Sequence, residues 1–338
     1  MNILVIPNIP FSYMKGGLET QLNRTIHHLK AMGVQVKILN FEDETLLKWA
    51  DLVHVFGIYN IHLAEGAAVR KPTVISSVFY QQSAVKRIYL KTLGYLPKTE
   101  PANVKRLLRL AHRILPNSES EKKQLINLFG VPDEQCNVVV NGLDISARGD
   151  GEAFRQAFLP DLAIDQRIVF SAHRVEVRKN SLALIEACGS KGIPLVIAGA
   201  LGEGAQAGYA KQAMEMIQRY PSVRYIGPLA FQDLVNGYAF AHVHALPSFM
   251  ETPGLSSLEA GAQGCNLVVG TCPPVHDYFG GIAWIVRHDA KSIQKGIAQA
   301  LESDRDNFQQ SQVIADKFTW KRAAEMTFKV YEEVLATQ

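Results

Sequence analysis

Short apolar runs rich in valine and isoleucine recur along the chain, and segments of helical periodicity separate them. In the first half the predicted strands are "NILVIP", "VQVKILNF", "DLVHVFG", "PTVISS", "RILPNS" and "NVVVNG". After the first of them, Leu22, Ile26, Leu29 and Met32 recur every three or four residues in a predicted helix that ends at Gly33. Strands that are apolar throughout and alternate with amphipathic helices predict a parallel sheet covered on both faces.

The alternation breaks over residues 146–165, a Gly- and Asp-rich stretch with a short helical segment, which we interpret as a linker. It resumes with the predicted strands "RIVFSAH", "IPLVIAG", "VRYIGP", "AHVHALPS", "NLVVGT" and "GIAWIV", and a long helix closes the chain over 318–338. We predict an α/β protein with two Rossmann-like, doubly wound domains, over 1–145 and 166–317. The carboxyl ends of both sheets would face a central cleft, where ligands of such sheets bind.

The composition fits this architecture. The chain has 338 residues, of which 47% are hydrophobic and 20% charged, a balance that excludes disorder and fibrous repeats. Four scattered cysteines without a CxxC pair predict buried thiols in a reducing compartment. The start "MNILVIPNIPF" has the pattern of a buried strand and not of a signal peptide, and no uncharged apolar run approaches the roughly 20 residues of a membrane span. We expect a cytoplasmic protein.

The net charge of +3 says little, but its distribution is uneven. Between Gly66 and Ser118 the only acidic residue is Glu100, against ten lysines and arginines. Within this segment "VKRLLRLAHRIL" has helical spacing, which fits either a core-facing helix with a solvated basic face or a surface for anionic lipid or a lipid-linked pyrophosphate. The second interpretation predicts peripheral attachment at the inner face of the cell membrane. Nucleic acid is not an expected partner, because no aromatic residues are interleaved with the cations.

The stretch "PSFMETPGLSSLEAGAQG" follows the predicted strand "AHVHALPS" and opens a helix at Gly254, Leu255 and Ser256. The first turn of a helix offers free N–H groups and the positive end of the dipole to phosphate oxygens. Glu259, a turn into the helix, would accept hydrogen bonds from a ribose diol, and Glu251 would accept them from sugar hydroxyls. The alternative is a solvated surface turn before a capped helix.

Two further loops follow predicted strands. "RVEVRKN" places Arg174 and Lys179 after "RIVFSAH", where they would neutralise a diphosphate and stabilise it as a leaving group; the alternative is a solvated basic loop. In "MKGGLETQ", Gly16 and Gly17 would let a ligand approach the backbone closely. This is not a GxGxxG motif, so a nicotinamide cofactor is not expected.

Taken in order, several motifs resemble those of the retaining glycosyltransferases of family 4 (glycosyl transferases group 1), over nearly the whole chain. They are "KGG", "PNSESEKKQL", "VVVNGLD", "HRVEVRKN", "LVIAG", "VRYIGPL", "PSFMETPGLSSLEAGAQG" and the terminal "FTWKRAAEMTFKVYEEVL". The resemblance implies the GT-B fold, with Arg174 and Lys179 on the donor diphosphate, Glu251 on the donor sugar and Glu259 on the ribose. Backbone amides of 254–256 would hold the phosphates.

The resemblance also implies an acceptor-side N-terminal domain, a nucleotide-sugar-binding C-terminal domain, and a terminal helix over 318–338 that packs back onto the first domain. Gly16 and Gly17 would line the pyrophosphate. His173 stands where relatives have glycine, so it narrows the pocket or adds a donor near the phosphates. Many relatives have a histidine after the fourth strand, where this chain has "ISSVFYQQ"; that role is absent here or taken by Ser77, Tyr80 or a neighbour.

The family works without a metal ion, and we predict no metal site. The acidic pair Asp304 and Asp306 lies in a polar C-terminal stretch and is expected to be solvated. His54, His242 and His244 lie on apolar strands, where we expect them to be packed and not catalytic.

The predicted activity is transfer of a sugar from a UDP- or GDP-sugar to a hydroxyl acceptor, with retention at the anomeric carbon. The expected acceptor is a glycan or glycolipid, in particular a lipid-linked glycan of surface polysaccharide synthesis. No cofactor is expected beyond the nucleotide sugar as co-substrate. The alternatives are another GT-B enzyme, such as a nucleotide-sugar epimerase or a phosphorylase, and a non-catalytic nucleotide-sugar-binding subunit.

Overall fold

The computed structural model of the protein describes residues 1–7, 16–58, 61–144, 147–304 and 308–337. Within them the β-strands are β1 (Asn2–Ile6), β2 (Gln35–Ile38), β3 (Leu52–Phe56), β4 (Thr73–Ser76), β5 (Arg113–Leu115), β6 (Val169–Ala172), β7 (Leu195–Ala198), β8 (Val223–Tyr225), β9 (Val243–Leu246), β10 (Asn266–Gly270) and β11 (Trp284–Val286).

The α-helices of the same residues alternate with these strands. They are α1 (Gly17–Ala31), α2 (Leu46–Trp49), α3 (Ile61–Ala68), α4 (Ala84–Leu93), α5 (Glu100–Leu110), α6 (Glu119–Phe129), α7 (Gly151–Phe158), α8 (Ser181–Gly189), α9 (Ala207–Ile217), α10 (Phe231–Phe240), α11 (Leu255–Ala262), α12 (Pro273–Phe279), α13 (Ala290–Glu302), α14 (Phe308–Lys317) and α15 (Trp320–Ala336).

The chain divides into two compact units. Unit 1 consists of Met1–Gly142 and Phe318–Gln338, and unit 2 is Leu143–Lys317. Residues 145–146, at the expected domain boundary, lie outside the described residues. The rest of the segment predicted as a linker belongs to unit 2, where α7 packs against α10. The terminal helix α15 packs against α1 of unit 1.

Unit 1 contains a five-stranded sheet in the order β2-β1-β3-β4-β5, and all of its pairings are parallel. Every residue of β3 and β4 is buried, as expected of parallel strands covered by helices on both faces. His54 on β3 is one of these residues: its ring nitrogens bond the hydroxyl groups of Tyr331 on α15 (2.5 Å) and Ser76 (2.9 Å). His54 is therefore a packed core residue, as predicted.

Unit 2 contains a six-stranded parallel sheet in the order β11-β10-β9-β6-β7-β8. The chain starts in the middle of this sheet with β6, builds outward to β8, and returns to the other side of β6 with β9. The strand order thus reverses between β6 and β9. In open α/β sheets a ligand binds beside the carboxyl ends of the strands at this point.

The structure confirms most predicted strands and corrects other expectations. The segment "NVVVNG" is not an assigned strand; its neighbour Cys136 forms only an isolated bridge with Ile114. The helical spacing of "VKRLLRLAHRIL" overlaps the predicted strand "RILPNS"; in the structure α5 ends at Leu110 and β5 begins at Arg113. All four cysteines are buried free thiols.

Three further observations concern the described residues only. None of their helices is both long and apolar enough to cross a bilayer. They contain no group of three or more His, Cys, Asp or Glu side chains placed to hold a metal ion. Asp304 is exposed, as expected, whereas Asp306 lies outside the described residues.

Candidate functional site

The loops after β6 and β9 meet at the point where the strand order of unit 2 reverses. The first loop leaves β6 at His173 and runs through a short 3-10 turn, Val177–Lys179, into α8. The second leaves β9 at Pro247 and leads into α11. The backbone N–H of Phe249 donates to the carbonyl oxygen of Arg178 at 2.9 Å, so the two loops are bonded directly to each other.

A lysine and a glutamate from the two loops form an ion pair. The Nζ atom of Lys179 donates to Oε1 of Glu251 at 2.5 Å, and both side chains are largely buried, with 13% and 9% of their surface exposed. Arg178 reaches the same oxygen at 3.2 Å and also donates to the carbonyl oxygen of Met250 at 3.1 Å. Two cations therefore converge on one carboxylate.

Electrostatics keep Glu251 ionised. Burial by itself would raise the pKa of this carboxyl group, because a charge is poorly solvated inside a protein. The charges of Lys179 and Arg178 outweigh that effect and hold the pKa of Glu251 below its usual value. The site therefore has a fixed negative group with two positive groups bonded to it.

Asn180 fixes the geometry of the cationic loop. This buried residue adopts a left-handed backbone conformation (φ 59°), which asparagine tolerates better than most residues. Its side-chain amide donates to the carbonyl oxygens of Pro247 at 3.2 Å and His288 at 2.8 Å. Asn180 thus ties the loop after β6 to the segments that follow β9 and β11.

The predicted phosphate-binding helix is α11, and it starts beside this ion pair. Gly254 precedes it with φ 95°, a conformation that favours glycine. A Cβ atom at Gly254 would lie 3.5 Å from Cγ of Glu251, so the glutamate side chain lies against the start of the helix. The N–H groups of Leu255 and Ser256 have no intrahelical acceptor, as in the first turn of any α-helix.

Glu259 lies in the second turn of α11 and is half-buried. The hydroxyl group of Tyr238 on α10 donates to its Oε2 at 3.4 Å. Tyr238 is fully buried, and its ring packs edge-on against Phe170 on β6 and His244 on β9. The carboxyl group of Glu259 is therefore oriented by a side chain that is itself fixed in the core.

His173 directly follows β6 and is buried. Its Nδ1 donates to the carbonyl oxygen of Arg174 at 3.0 Å, and Nε2 has no partner among the described residues. Burial lowers the pKa of His173 to about 4, so the ring is neutral near pH 7. A neutral imidazole with a free Nε2 adds a hydrogen-bonding atom to the site without adding a charge.

The structure brings only some of the predicted residues together. Lys179, Glu251 and Gly254 lie side by side, and Glu259 follows on the same helix. The side chain of Arg174 is exposed and makes no hydrogen bond or ion pair within the described part of the chain. Gly16 and Gly17 are exposed at the start of α1, in unit 1.

The sequence pattern assigned no individual role to three residues that hold these loops together: Arg178, Asn180 and Glu121. Arg178 lies in the same basic loop as Arg174 and Lys179, but spacing alone does not tell which cations of a loop pair with Glu251. Asn180 before a helix is a recognisable sign of a special backbone conformation. Glu121 follows Ser118 at the spacing of a capping box, which was visible in "SESE".

Glu121 holds the loop after β4 in unit 1. The N–H of Phe79 and the hydroxyl group of Ser77 both donate to its Oε1, and the N–H of Asn117 donates to Oε2 at 2.9 Å. Between the first two donors lies Val78, whose φ of 43° is unusual for a β-branched residue. Ser77, a candidate for the missing histidine's role, is therefore buried and bonded to Glu121.

Two family models match the chain, in agreement with this architecture. Residues 155–314 match the model described as Glycosyl transferases group 1, and residues 44–147 match Glycosyltransferase Family 4. Two parallel-sheet α/β domains, with a loop cluster at the strand-order reversal of unit 2, define a doubly wound α/β protein. The chain belongs to the family 4 glycosyltransferases.

Similar proteins agree with this family. D-inositol 3-phosphate glycosyltransferase of Mycolicibacterium smegmatis is 29% identical over 238 residues, which are 67% of this chain and 54% of that protein. The match therefore spans little more than half the length of this curated relative. Sucrose-phosphate synthase from Thermosynechococcus elongatus shares the fold with a TM-score of 0.78 and 15% identity over 100% of both chains. Anabaena HepE, in complex with UDP and glucose, has a TM-score of 0.73 and 16% identity over 98% of this chain and 100% of its own.

Proposed function

We propose that the chain is a metal-independent glycosyltransferase that moves a hexose-type sugar from a nucleotide diphosphate sugar to a hydroxyl acceptor. The observation that carries the proposal is the meeting of Arg178, Lys179 and Glu251 beside the start of α11, at the strand-order reversal of unit 2. A diphosphate needs cations and backbone N–H donors, and a sugar needs a carboxylate that accepts from hydroxyl groups. All three kinds of group are close together here.

The ion pair suggests how the donor is bound. A diphosphate that contacts Lys179 would replace Glu251 as the anionic partner of the lysine. The released carboxylate of Glu251 would then be an acceptor for hydroxyl groups of the donor sugar, and Glu259 would accept from the ribose. In this proposal one substrate provides a diphosphate for Lys179 and sugar hydroxyl groups for Glu251, so neither charge is left buried without a partner.

The proposed reaction retains the configuration at the anomeric carbon. The bond from the anomeric carbon to the β-phosphate oxygen breaks, and the acceptor oxygen forms its bond on the same face of the sugar. The acceptor's proton moves to the departing phosphate oxygen. Lys179, Arg178 and the N-terminal amides of α11 would stabilise the negative charge that grows on the leaving group. No pair of carboxylates in the site suggests the acid–nucleophile scheme of retaining hydrolases.

For the donor we propose UDP-glucose or a related UDP-sugar, with a GDP-sugar as the second choice. The Anabaena neighbour in complex with UDP and glucose supports uridine. For the acceptor we propose a lipid-linked glycan of surface polysaccharide synthesis, because of the basic segment 66–118. The names of the similar proteins favour a second candidate, a small phosphorylated polyol or sugar. A non-catalytic subunit would bind the same donor and transfer nothing.

A nucleotide panel tests the proposal. We expect UDP or GDP to raise the melting temperature more than UMP, GMP or inorganic phosphate does, because binding to the folded state stabilises it by mass action. Glu259→Gln should weaken the binding of that nucleoside diphosphate by about 1.5–3 kcal/mol, which is the range for hydrogen bonds to a charged group. Calorimetric titration measures the affinity.

Glu186→Gln is the matched control, because Glu186 also accepts a hydrogen bond from a tyrosine hydroxyl in unit 2, from Tyr220 at 2.8 Å. This control should bind the nucleotide as the unmodified protein does. Equal losses in both variants, or no stabilisation by any nucleoside diphosphate, would contradict the proposed donor site.

A further inference from the structure

Helix α4 of unit 1 exposes an apolar stripe. None of its residues is buried, and Val85, Ile88 and Tyr89 are 76%, 64% and 51% exposed. Residues three and four positions apart lie on one face of an α-helix, so these side chains are neighbours. The segment that follows adds Tyr95 and Leu96, which are 72% and 52% exposed.

The stripe faces away from the core of unit 1. Leu90, on the other side of α4, packs against the core, and the helix contacts α5 and α6. Ser83 caps the helix by accepting from the N–H of Lys86, so α4 is a regular, capped element with an outward apolar face. Contiguous apolar surface of this kind usually marks a contact with another molecule or a membrane.

Cations border the stripe on both sides. With about 100° per residue, Lys86 and Lys91 lie on opposite flanks of the line through Val85, Ile88 and Tyr89. Lys86, Lys91 and the nearby Lys98 are exposed and form no ion pair with a described residue. Between Gly66 and Thr99 the sequence has no acidic residue at all.

The structure separates this surface from the helix that the sequence singled out. The basic helix of "VKRLLRLAHRIL" is α5, which buries Val104, Leu107 and Leu108 in the core. Arg106 forms a bidentate ion pair with Glu65, and the ammonium group of Lys105 lies over the ring of Tyr95. The core-facing interpretation therefore describes α5, and the free cations with exposed apolar side chains are on α4.

We propose that α4 docks the protein on an anionic lipid bilayer. Val85, Ile88 and Tyr89 enter the boundary between headgroups and acyl chains, and Lys86, Lys91 and Lys98 bind the negatively charged headgroups. A helix that lies in the membrane plane needs an apolar face bordered by lysines or arginines, which is the arrangement of α4. Charge complementarity selects anionic lipid over a neutral surface. This docking would bring a lipid-linked acceptor to unit 1, but it needs neither donor nor acceptor.

The test is co-sedimentation of the full chain with two kinds of vesicle, phosphatidylcholine alone and phosphatidylcholine mixed with phosphatidylglycerol. We expect binding to the mixed vesicles only, and weaker binding as salt is raised. Ile88→Ser should lower the partition constant about tenfold through lost apolar burial. Lys91→Gln should lower the partition constant about fivefold, because one cation near an anionic surface contributes about that factor to binding.

Two matched variants serve as controls. Phe41→Ser removes an apolar side chain of unit 1 that is 79% exposed, and Lys30→Gln removes an exposed lysine of α1. Both should partition like the unmodified protein. Melting temperature and UDP affinity, measured without vesicles, report whether each variant is folded, so a failure of docking is distinct from a failure of the donor site.

A direct readout comes from Tyr89→Trp. Its fluorescence should be quenched by brominated lipid in mixed vesicles, beyond any quenching of the three native tryptophans in the unmodified protein. Three outcomes would overturn the proposal: no binding to mixed vesicles, equal binding of Ile88→Ser and the Phe41→Ser control, or no extra quenching of Trp at position 89. Self-association that Ile88→Ser abolishes, without vesicle binding, would assign the stripe to contact with a second copy instead.

Discussion

Lys179 and Glu251 form a coupled ion pair. From the sequence they appeared as separate contacts, one for phosphate and one for sugar, because they are 72 residues apart in the chain. In the structure each is the nearest counter-charge of the other, and both are largely buried. Removing one partner of a buried pair leaves the other charge poorly solvated, so a variant of either residue changes more than a single contact.

A double-mutant cycle on this pair tests the coupling. Lys179→Met should lower the free energy of unfolding by about 3 kcal/mol, because the longer contact to Arg178 is then the one ion pair left to the buried Glu251 among the described residues. Combining it with Glu251→Gln should cost much less than the sum of the two single changes, with a coupling energy above about 1 kcal/mol. Urea denaturation of the four proteins gives these values.

The pair Lys122 and Asp133 in unit 1 is the control for that cycle. Its atoms are 3.0 Å apart, but the Asp133 side chain is 74% exposed, so solvent screens the interaction. Lys122→Met and Asp133→Asn should couple by no more than about 1 kcal/mol. If the changes in unfolding free energy at Lys179 and Glu251 were simply additive, the two residues would not be energetically coupled. Our account of donor binding would then lose its basis.

At the residue scale the sequence predicted positions better than contacts. The strand–loop–helix pattern was clear, so Lys179, Glu251 and Glu259 follow strands of unit 2 as expected, and their roles in donor binding stay predictions. Position alone did not show that Arg178, and not Arg174, pairs with Glu251. That choice depends on the 3-10 turn over 177–179 and on the left-handed Asn180, which are set by tertiary hydrogen bonds.

At the element scale, α6 and the loop after β4 depend on one carboxyl group. Glu121→Ala would leave the hydroxyl group of Ser77 and the N–H groups of Phe79 and Asn117 without an acceptor in a buried site. We expect a loss of about 3 kcal/mol or more in the free energy of unfolding, since each unsatisfied donor costs about 1–3 kcal/mol. Ser118→Ala removes only the cap of α6 and should cost about 1 kcal/mol.

Amide hydrogen exchange distinguishes the two effects. Glu121→Ala should speed exchange at Phe79 and in the loop around it, whereas Ser118→Ala should speed it only in the first turn of α6. Thr319→Ala, which removes the cap of α15, should resemble Ser118→Ala in its cost and leave the loop protected. Similar losses and similar exchange in the Glu121 and Ser118 variants would mean that Glu121 is no more than part of a capping box.

Elements were predictable where hydrophobic period and turn residues agreed. Eleven of the predicted strands are present, and α1 ends before Gly33, which has φ 86°. The prediction was wrong at "NVVVNG", which is apolar but is not an assigned strand; the isolated bridge lies at the preceding residue, Cys136. In α15, Met326 is 36% exposed, while Thr327 is buried and bonded to the carbonyl oxygen of Ala323. Hydrophobic periodicity alone does not determine whether a residue at the edge of a buried helix face is itself buried.

At the scale of the whole molecule, buried titratable groups give the two units different responses to acid. Burial lowers the pKa of His173 to about 4 and of His244 to about 3 in unit 2. In unit 1 burial lowers the pKa of His54 to about 3 and raises that of Glu121 to about 7. A lowered histidine pKa stabilises the fold above the unfolded value of 6.5, and that stability is lost as the pH falls toward the folded value.

Glu121 contributes a pH dependence of stability with the opposite sign. Its stabilising effect is complete below the unfolded pKa of 4.5 and disappears as the pH rises through about 7. Between pH 4.5 and 6.5 the contributions of His54 and Glu121 therefore oppose each other in unit 1, where the lowered pKa of the partly exposed His112 adds a smaller slope. In unit 2 the lowered pKa values of His173 and His244 act in the same direction.

We therefore predict that acidification from pH 6.5 to 4.5 destabilises unit 2 more steeply than unit 1. The protons of these two histidines correspond to a slope of up to about 2.7 kcal/mol per pH unit. Trp284 is the only tryptophan of unit 2, and Trp49 and Trp320 belong to unit 1, so urea unfolding of Trp284→Phe and of Trp49→Phe/Trp320→Phe follows each unit separately. His244→Leu should halve the slope of unit 2, because one buried titratable ring is removed. A steeper slope for unit 1, or an unchanged slope in His244→Leu, would show that these buried rings do not set the response to acid.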